Sequence, residues 1–107
     1  MKWQNRVQLI GYLGKDPDVK ILPSGFYYAT MRLATNNGFS NQQKDRQTMW
    51  HTVKIWGKRS NYIQNFFMKG SHVLVDGKIV YRSYLDKEGN TRFVTEIKAQ
   101  KIMNLDR

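Results

Sequence analysis

The chain has 107 residues and carries 18 lysines and arginines against 8 aspartates and glutamates, a formal charge of +10. That length fits one domain over residues 1–107, and with no cysteine disulfide scaffolds, thiolate metal centres and cysteine nucleophiles are excluded. The positive potential points to a polyanionic partner, while basic residues scattered from Lys2 to Arg107 and the lack of any long apolar run argue against a membrane and for a soluble, intracellular protein.

From Asn5 to Gly14 the chain alternates. Val7, Leu9, Gly11 and Leu13 point one way and Arg6, Gln8, Ile10 and Tyr12 the other, which predicts a strand with one buried face. The glycines at 11 and 14 mark a sharp bend or the close approach of another backbone. Lys15-Asp16-Pro17-Asp18 is turn chemistry, Val19 to Leu22 a short extended segment, and Pro23-Ser24-Gly25 a second turn. Alternation resumes from Phe26 to Asn36, with Ala29, Met31 and Leu33 inward and Thr30 and Arg32 outward. Asn36 to Gln47 is polar and without apolar periodicity, a loop whose single aromatic, Phe39, is either a local anchor or a ligand contact.

Thr48 to Gly57 is the most informative stretch. One face of this strand carries Trp50, Thr52, Lys54 and Trp56, and the other Met49, His51, Val53 and Ile55. The second face reads as core. A lysine between two indoles makes a poor core, because its amine must snorkel or be desolvated. Rings and a cation together suit single-stranded nucleic acid, whose bases stack while its phosphates meet the charge. The alternative is that one or both indoles cover a second layer of core.

Lys58 to Lys69 has Tyr62, Ile63, Phe66 and Phe67 at helical spacing, Ser60 as N-cap and Gly70 as stop, which predicts a helix burying those four against the end of a barrel. Ser71 to Leu85 is a strand interrupted at Asp76-Gly77 by a bulge or a tight bend. Asp86 to Asn90 is a hairpin connection. Thr91 to Lys101 is a last strand with Phe93, Thr95, Ile97 and Ala99 inward and Arg92, Glu96 and Lys98 outward. One helix between the third and fourth long strands predicts an all-β OB-fold, a five-stranded Greek-key barrel.

Several segments also resemble the bacterial single-stranded DNA-binding protein family. They are Asn5 to Pro17, Leu33-Ala34-Thr35, Trp50-His51-x-Val53, Trp56-Gly57-Lys58, Lys69-Gly70-Ser71 and Val75-x-Gly77. The resemblance spans nearly the whole chain. It implies base stacking on Phe39, Trp50, Trp56 and Tyr84, phosphate contacts from Lys58 and Lys69, and a role for His51 at a subunit interface. Strand geometry adds Lys54, Arg32 and Arg82 to the nucleic-acid-binding set. The resemblance further implies a homotetramer acting in DNA replication, recombination and repair, in the bacterial cytoplasm with the nucleoid or from a phage or mobile element. Family members usually continue into a glycine- and proline-rich linker and an acidic tip, whereas this sequence stops at Asn104-Leu105-Asp106-Arg107, as a folded core cut from a longer chain, a tailless member of the kind mobile elements and phages carry, or a primosomal relative, which leaves recruitment of replication and repair enzymes open.

The expected mechanism is binding without catalysis, cofactor or metal. A nuclease site would need converging carboxylates and a metal, but the acidic residues fall in turns or singly on strands, and His51 and His72 lie on separate strands. A primosome-assembly or RNA-binding OB-fold protein is the other alternative.

Overall fold

The computed structural model describes residues 4–36 and 47–106, so Phe39 lies outside the described residues. The strands are β1 (Val7–Leu13), β2 (Asp18–Ile21), β3 (Tyr27–Asn36), β4 (Thr48–Trp56), β5 (His72–Leu85) and β6 (Thr91–Asn104). They pair in the order β1-β5-β6-β4-β3-β2, and β1 pairs β3 as well. Closure through Tyr12 opposite Ala34 and Leu13 opposite Leu33 makes a five-stranded barrel of β1, β3, β4, β6 and β5, with β2 added at the outside edge of β3. The pairing of β4 with β6 is parallel and the others are antiparallel. This is the Greek-key OB barrel the element order predicts.

The barrel interior is built from the alternation. Ala29, Met31 and Leu33 on β3 meet Ile55, Val53 and His51 on β4, and Leu13, Val73, Val75, Ile97 and Ala99 complete the core. β1 crosses β3 so closely that a side-chain carbon on Gly11 would run into the carbonyl of Ala34. Glycine there lets the barrel close. Between Asp76 and Gly77 the register slips by one, Asp76 pairing with Lys101 and Gly77 with Ala99, so the irregularity falls where a bulge or bend is expected, with Gln100 of β6 as the extra residue.

Two expectations need correction. The segment after β4 is a 3-10 turn (Lys58–Tyr62) followed by one turn of helix, α1 (Ile63–Phe66), with Phe67 already extended. At three residues per turn Ser60 and Ile63 line up beneath one another, and they are buried with Phe67, whereas Tyr62 and Phe66 are 58% and 65% exposed. Ser60 sits inside the turn, its hydroxyl donating to the Gly57 carbonyl at 2.7 Å, and does not cap it. The second correction concerns β6. Phe93 is 81% exposed and Thr95 also faces solvent, because the far ends of β5 and β6 leave the barrel as a two-stranded arm on whose inner side none of the other described residues packs. Tyr81 on the same side is likewise exposed.

Candidate nucleic-acid interface

The antiparallel ladder of β3 and β4 sets Tyr28 opposite Trp56, Thr30 opposite Lys54, Arg32 opposite Thr52 and Ala34 opposite Trp50. All share the parity opposite to the core residues, so they face the outside of the barrel. On the other side of β4, Lys54 lies opposite Lys98 of β6. Beyond it β5 places Lys78 opposite Lys98, Val80 opposite Glu96, and Arg82 and Tyr84 opposite Val94 and Arg92. One continuous exterior face therefore carries Arg32, Trp50, Lys54, Trp56, Arg82 and Tyr84.

At one end of this face Trp56 stacks on Tyr28 with ring centres 4.8 Å apart, and on Phe26 at 6.0 Å, the planes within 26° and 25° of parallel. The Lys54 ammonium stands 5.3 Å from the centre of the Tyr28 ring, within cation–π range. Beside the rings is a cleft of about 350 Å³ bordered by Lys54, Trp56, Lys78, Arg82, Glu96 and Lys98. Arg82 forks onto Glu96 through two hydrogen bonds of 3.1 and 3.0 Å, and Lys54 lies 3.3 Å from the same carboxylate. The Arg82 hydrogen bonds, then the charge and hydrogen bond of Lys54, hold the Glu96 carboxyl below its ordinary range against the opposing effect of burial. Glu96 in turn raises Arg82.

Toward the other end Trp50 is half exposed. Its indole covers Gly14, where any β-carbon would collide with the ring. The Arg32 guanidinium is 5.7 Å from the ring centre and donates to the Thr52 hydroxyl at 2.9 Å. Gly14, Lys15, Arg32 and Trp50 enclose a second, more open cleft of about 280 Å³.

The remaining sequence-derived residues are placed as follows. Tyr84 is 47% exposed on the β5–β6 arm, two residues beyond Arg82 on the same side. Lys58 is exposed at the start of the 3-10 turn, one residue after Gly57. Lys69 is exposed before β5, and its backbone N–H donates to Asp16 at 2.8 Å. It belongs to the β1 end and not to the Trp56 cleft. His51 points inward, lining a cavity at the barrel mouth with Val7, Leu9, Ile79, Thr95 and Ile97. It hydrogen-bonds the Thr35 hydroxyl at 2.9 Å, and burial, then Arg32, pushes its imidazole below the ordinary value.

Sequence reasoning missed Phe26, Tyr28, Lys78 and Lys98. Tyr28 was within reach, since it continues the outward series of Arg32 and Thr30 by two. Phe26 was within reach in the same way, since it opens the strand expected from Phe26 to Asn36 and has the outward parity of Tyr28. The lysines enter the cleft only through the β5–β6–β4 register, which no local pattern encodes. Among the described residues, no three His, Asp or Glu side chains converge as metal ligands would.

The model of the single-strand binding protein family matches residues 4–105. The chain belongs to this family. As a member, it is 42% identical over 102 residues to a protein named single-stranded DNA-binding protein 2 of Listeria innocua, covering 95% of this chain and 64% of that one. It is 36% identical over 104 residues to single-stranded DNA-binding protein 1 of Xylella fastidiosa, covering 94% and 76%. The chain thus spans just under two thirds of the Listeria relative's length. Among solved structures, a Plasmodium falciparum SSB complex with ssDNA superposes with a TM-score of 0.86 at 29% identity, covering 99% of this chain and 98% of that one.

Proposed function

We propose that this family member binds single-stranded DNA with little sequence preference, as a binding protein and not an enzyme. Bases stack on Trp50 and on the Trp56–Tyr28–Phe26 group, while Arg32, Lys54, Lys78, Lys98 and Arg82 receive phosphates. The observation that carries the reading is the stacked aromatic group beside a lysine-lined cleft on one open barrel face. A base on such a ring contributes about 1–3 kcal/mol whatever its identity, because every base has a flat face. Duplex DNA keeps its bases stacked on one another and gains only the charge contribution. Tyr84 and Phe39 extend the stacking path, and Lys58 and Lys69 the phosphate path, by family resemblance.

The same reading places the protein in replication, recombination and repair within the bacterial cytoplasm. Assembly into a homotetramer fits the outer side of β1, where Ile10 and Tyr12 are 56% and 52% exposed beside Leu74 and Met103. His51 at the barrel mouth is the residue we assign to a subunit contact.

Fluorescence anisotropy with a labelled oligo-dT, a duplex of the same length and an RNA of the same sequence tests the binding claim. Affinity for oligo-dT should exceed that for duplex by on the order of tenfold or more. Equal affinities would refute stacking as the source of binding, and preference for RNA would favour the RNA-binding alternative. Intact labelled DNA after incubation with magnesium is expected, and cleavage would overturn the assignment as a non-enzyme.

A further inference from the structure

A carboxylate at the edge of a phosphate-receiving cleft calls for a physical reason. The Glu96 side chain is 11% exposed, against 17% for Lys54 and 48% for Arg82, so the anion lies deeper than the cations it pairs. Arg82 engages it through Nε and Nη2. That is the edge of a guanidinium that grips two phosphate oxygens in the bidentate mode. Lys54 approaches the Oε2 atom that Arg82 Nη2 already contacts. Two cations and one anion leave this group a net charge of +1, with the better-shaped donor edge already filled. Val80 and Trp56 border the same cleft, so a nucleotide entering it meets apolar and aromatic surface beside the charged groups.

We propose that Glu96 is an internal counter-anion standing where a backbone phosphate would otherwise bind, and that it limits the affinity and salt dependence of single-strand binding at the Trp56 cleft. The proposal rests on the reading of this face as a single-strand site. In the free protein the carboxylate holds both Lys54 and Arg82 at the cleft and cancels one of their two charges. When bases stack, a phosphate competes with Glu96 for the Arg82 edge and holds it only part of the time, with no proton transferred. Repulsion between phosphate and carboxylate weakens the grip at each passage through the cleft. Stacking, not charge, then dominates the affinity here, and the strand can be released without high salt.

Glu96→Gln keeps the shape and an acceptor oxygen while removing the charge. One added phosphate contact on a single strand steepens the plot of log affinity against log salt by about 0.7, which, for two proteins that bind alike at about 1 M salt, is roughly eightfold tighter binding at about 50 mM NaCl and roughly threefold at about 200 mM. Oligo-dT should show those changes. Weaker binding or an unchanged slope would overturn the proposal and make Glu96 a holder of cations. A second measurement uses the unaltered protein and does not depend on the variant folding. The NMR signals of the Arg82 Nε–H and the Glu96 carboxyl carbon should both shift as saturating oligo-dT is added, and unmoved signals would refute the exchange. If the unaltered protein failed to bind oligo-dT at all, the reading of the site would fall; binding with no response at Glu96 would sink only the counter-anion.

Discussion

Replacing Trp56 with alanine removes the centre of the aromatic group. Tyr28 loses its stacking partner at 4.8 Å and Phe26 its partner at 6.0 Å. Aromatic pairs of this kind contribute about 0.5–1.5 kcal/mol each beyond area burial, so the variant should unfold about 1–3 kcal/mol more easily. It should still fold, because the core residues Met31, Leu33, Val53 and Ile55 lie on the other side of the sheet. Loss of one stacked base should cost about 1–3 kcal/mol of binding, or roughly 5- to 150-fold in affinity for oligo-dT. No cation is removed, so the slope of log affinity against log salt should stay within a few tenths of the parent value. Anisotropy titrations at four salt concentrations, well below the variant's melting temperature, read both quantities. A loss below about twofold would show that Trp56 is only a cover for the barrel. A large loss accompanied by a flatter slope would show that the indole acted by placing Lys54.

Other substitutions probe the rest of the account. Gly14→Ala drives a methyl group into the Trp50 indole and should lower oligo-dT affinity several-fold at nearly constant melting temperature; unchanged binding would mean the ring's seat on Gly14 is irrelevant. Met31→Ala empties a fully buried core position and should cost about 2–5 kcal/mol of stability by urea unfolding, and a cost under 1 kcal/mol would contradict the core assignment. Acid should weaken the fold. Arg6 holds Asp76, Arg92 holds Asp86, and Arg82 with Lys54 holds Glu96 below their ordinary values. A lowered folded pKa gives stability that is complete above the unfolded value, near 4 for carboxylates, and is lost as pH falls through the folded one. His51, lowered by burial, adds an earlier loss below about pH 6.5. The urea midpoint should therefore fall in acid, most steeply below about pH 4, and a constant midpoint from pH 7 to 2.5 would refute these pairings.

Where the chain is periodic, local reading was sufficient. The inward residues of β1, β3 and β4, the bulge at Gly77 and the turn at Asp86 to Asn90 follow from alternation and turn chemistry, because each depends on neighbours one or two residues away. The short helix misled, since Tyr62, Ile63, Phe66 and Phe67 share one face only if the whole segment is α-helical. A 3-10 start and an extended Phe67 separate them. Phe93 misled for a different reason: alternation reports which side of a strand a residue takes, but not whether anything packs there. The binding face was legible in part. Trp50, Lys54 and Trp56 share one strand, and the resemblance supplied Tyr84. Phe26 and Tyr28 could have been added from the outward parity of the strand that carries Arg32, whereas Lys78 and Lys98 join only through contacts between strands distant in sequence, and the pairing of Glu96 with Arg82 and Lys54 likewise needed the three-strand register.

Tryptophan emission during titration with oligo-dT tests the central claim most directly, because it reports from the rings themselves. Emission should be quenched to saturation by the single strand and recover as salt displaces it, with the Trp50→Phe, Trp56→Phe double variant losing most of the change. Binding detected by anisotropy with tryptophan emission unaltered would contradict stacking on this face.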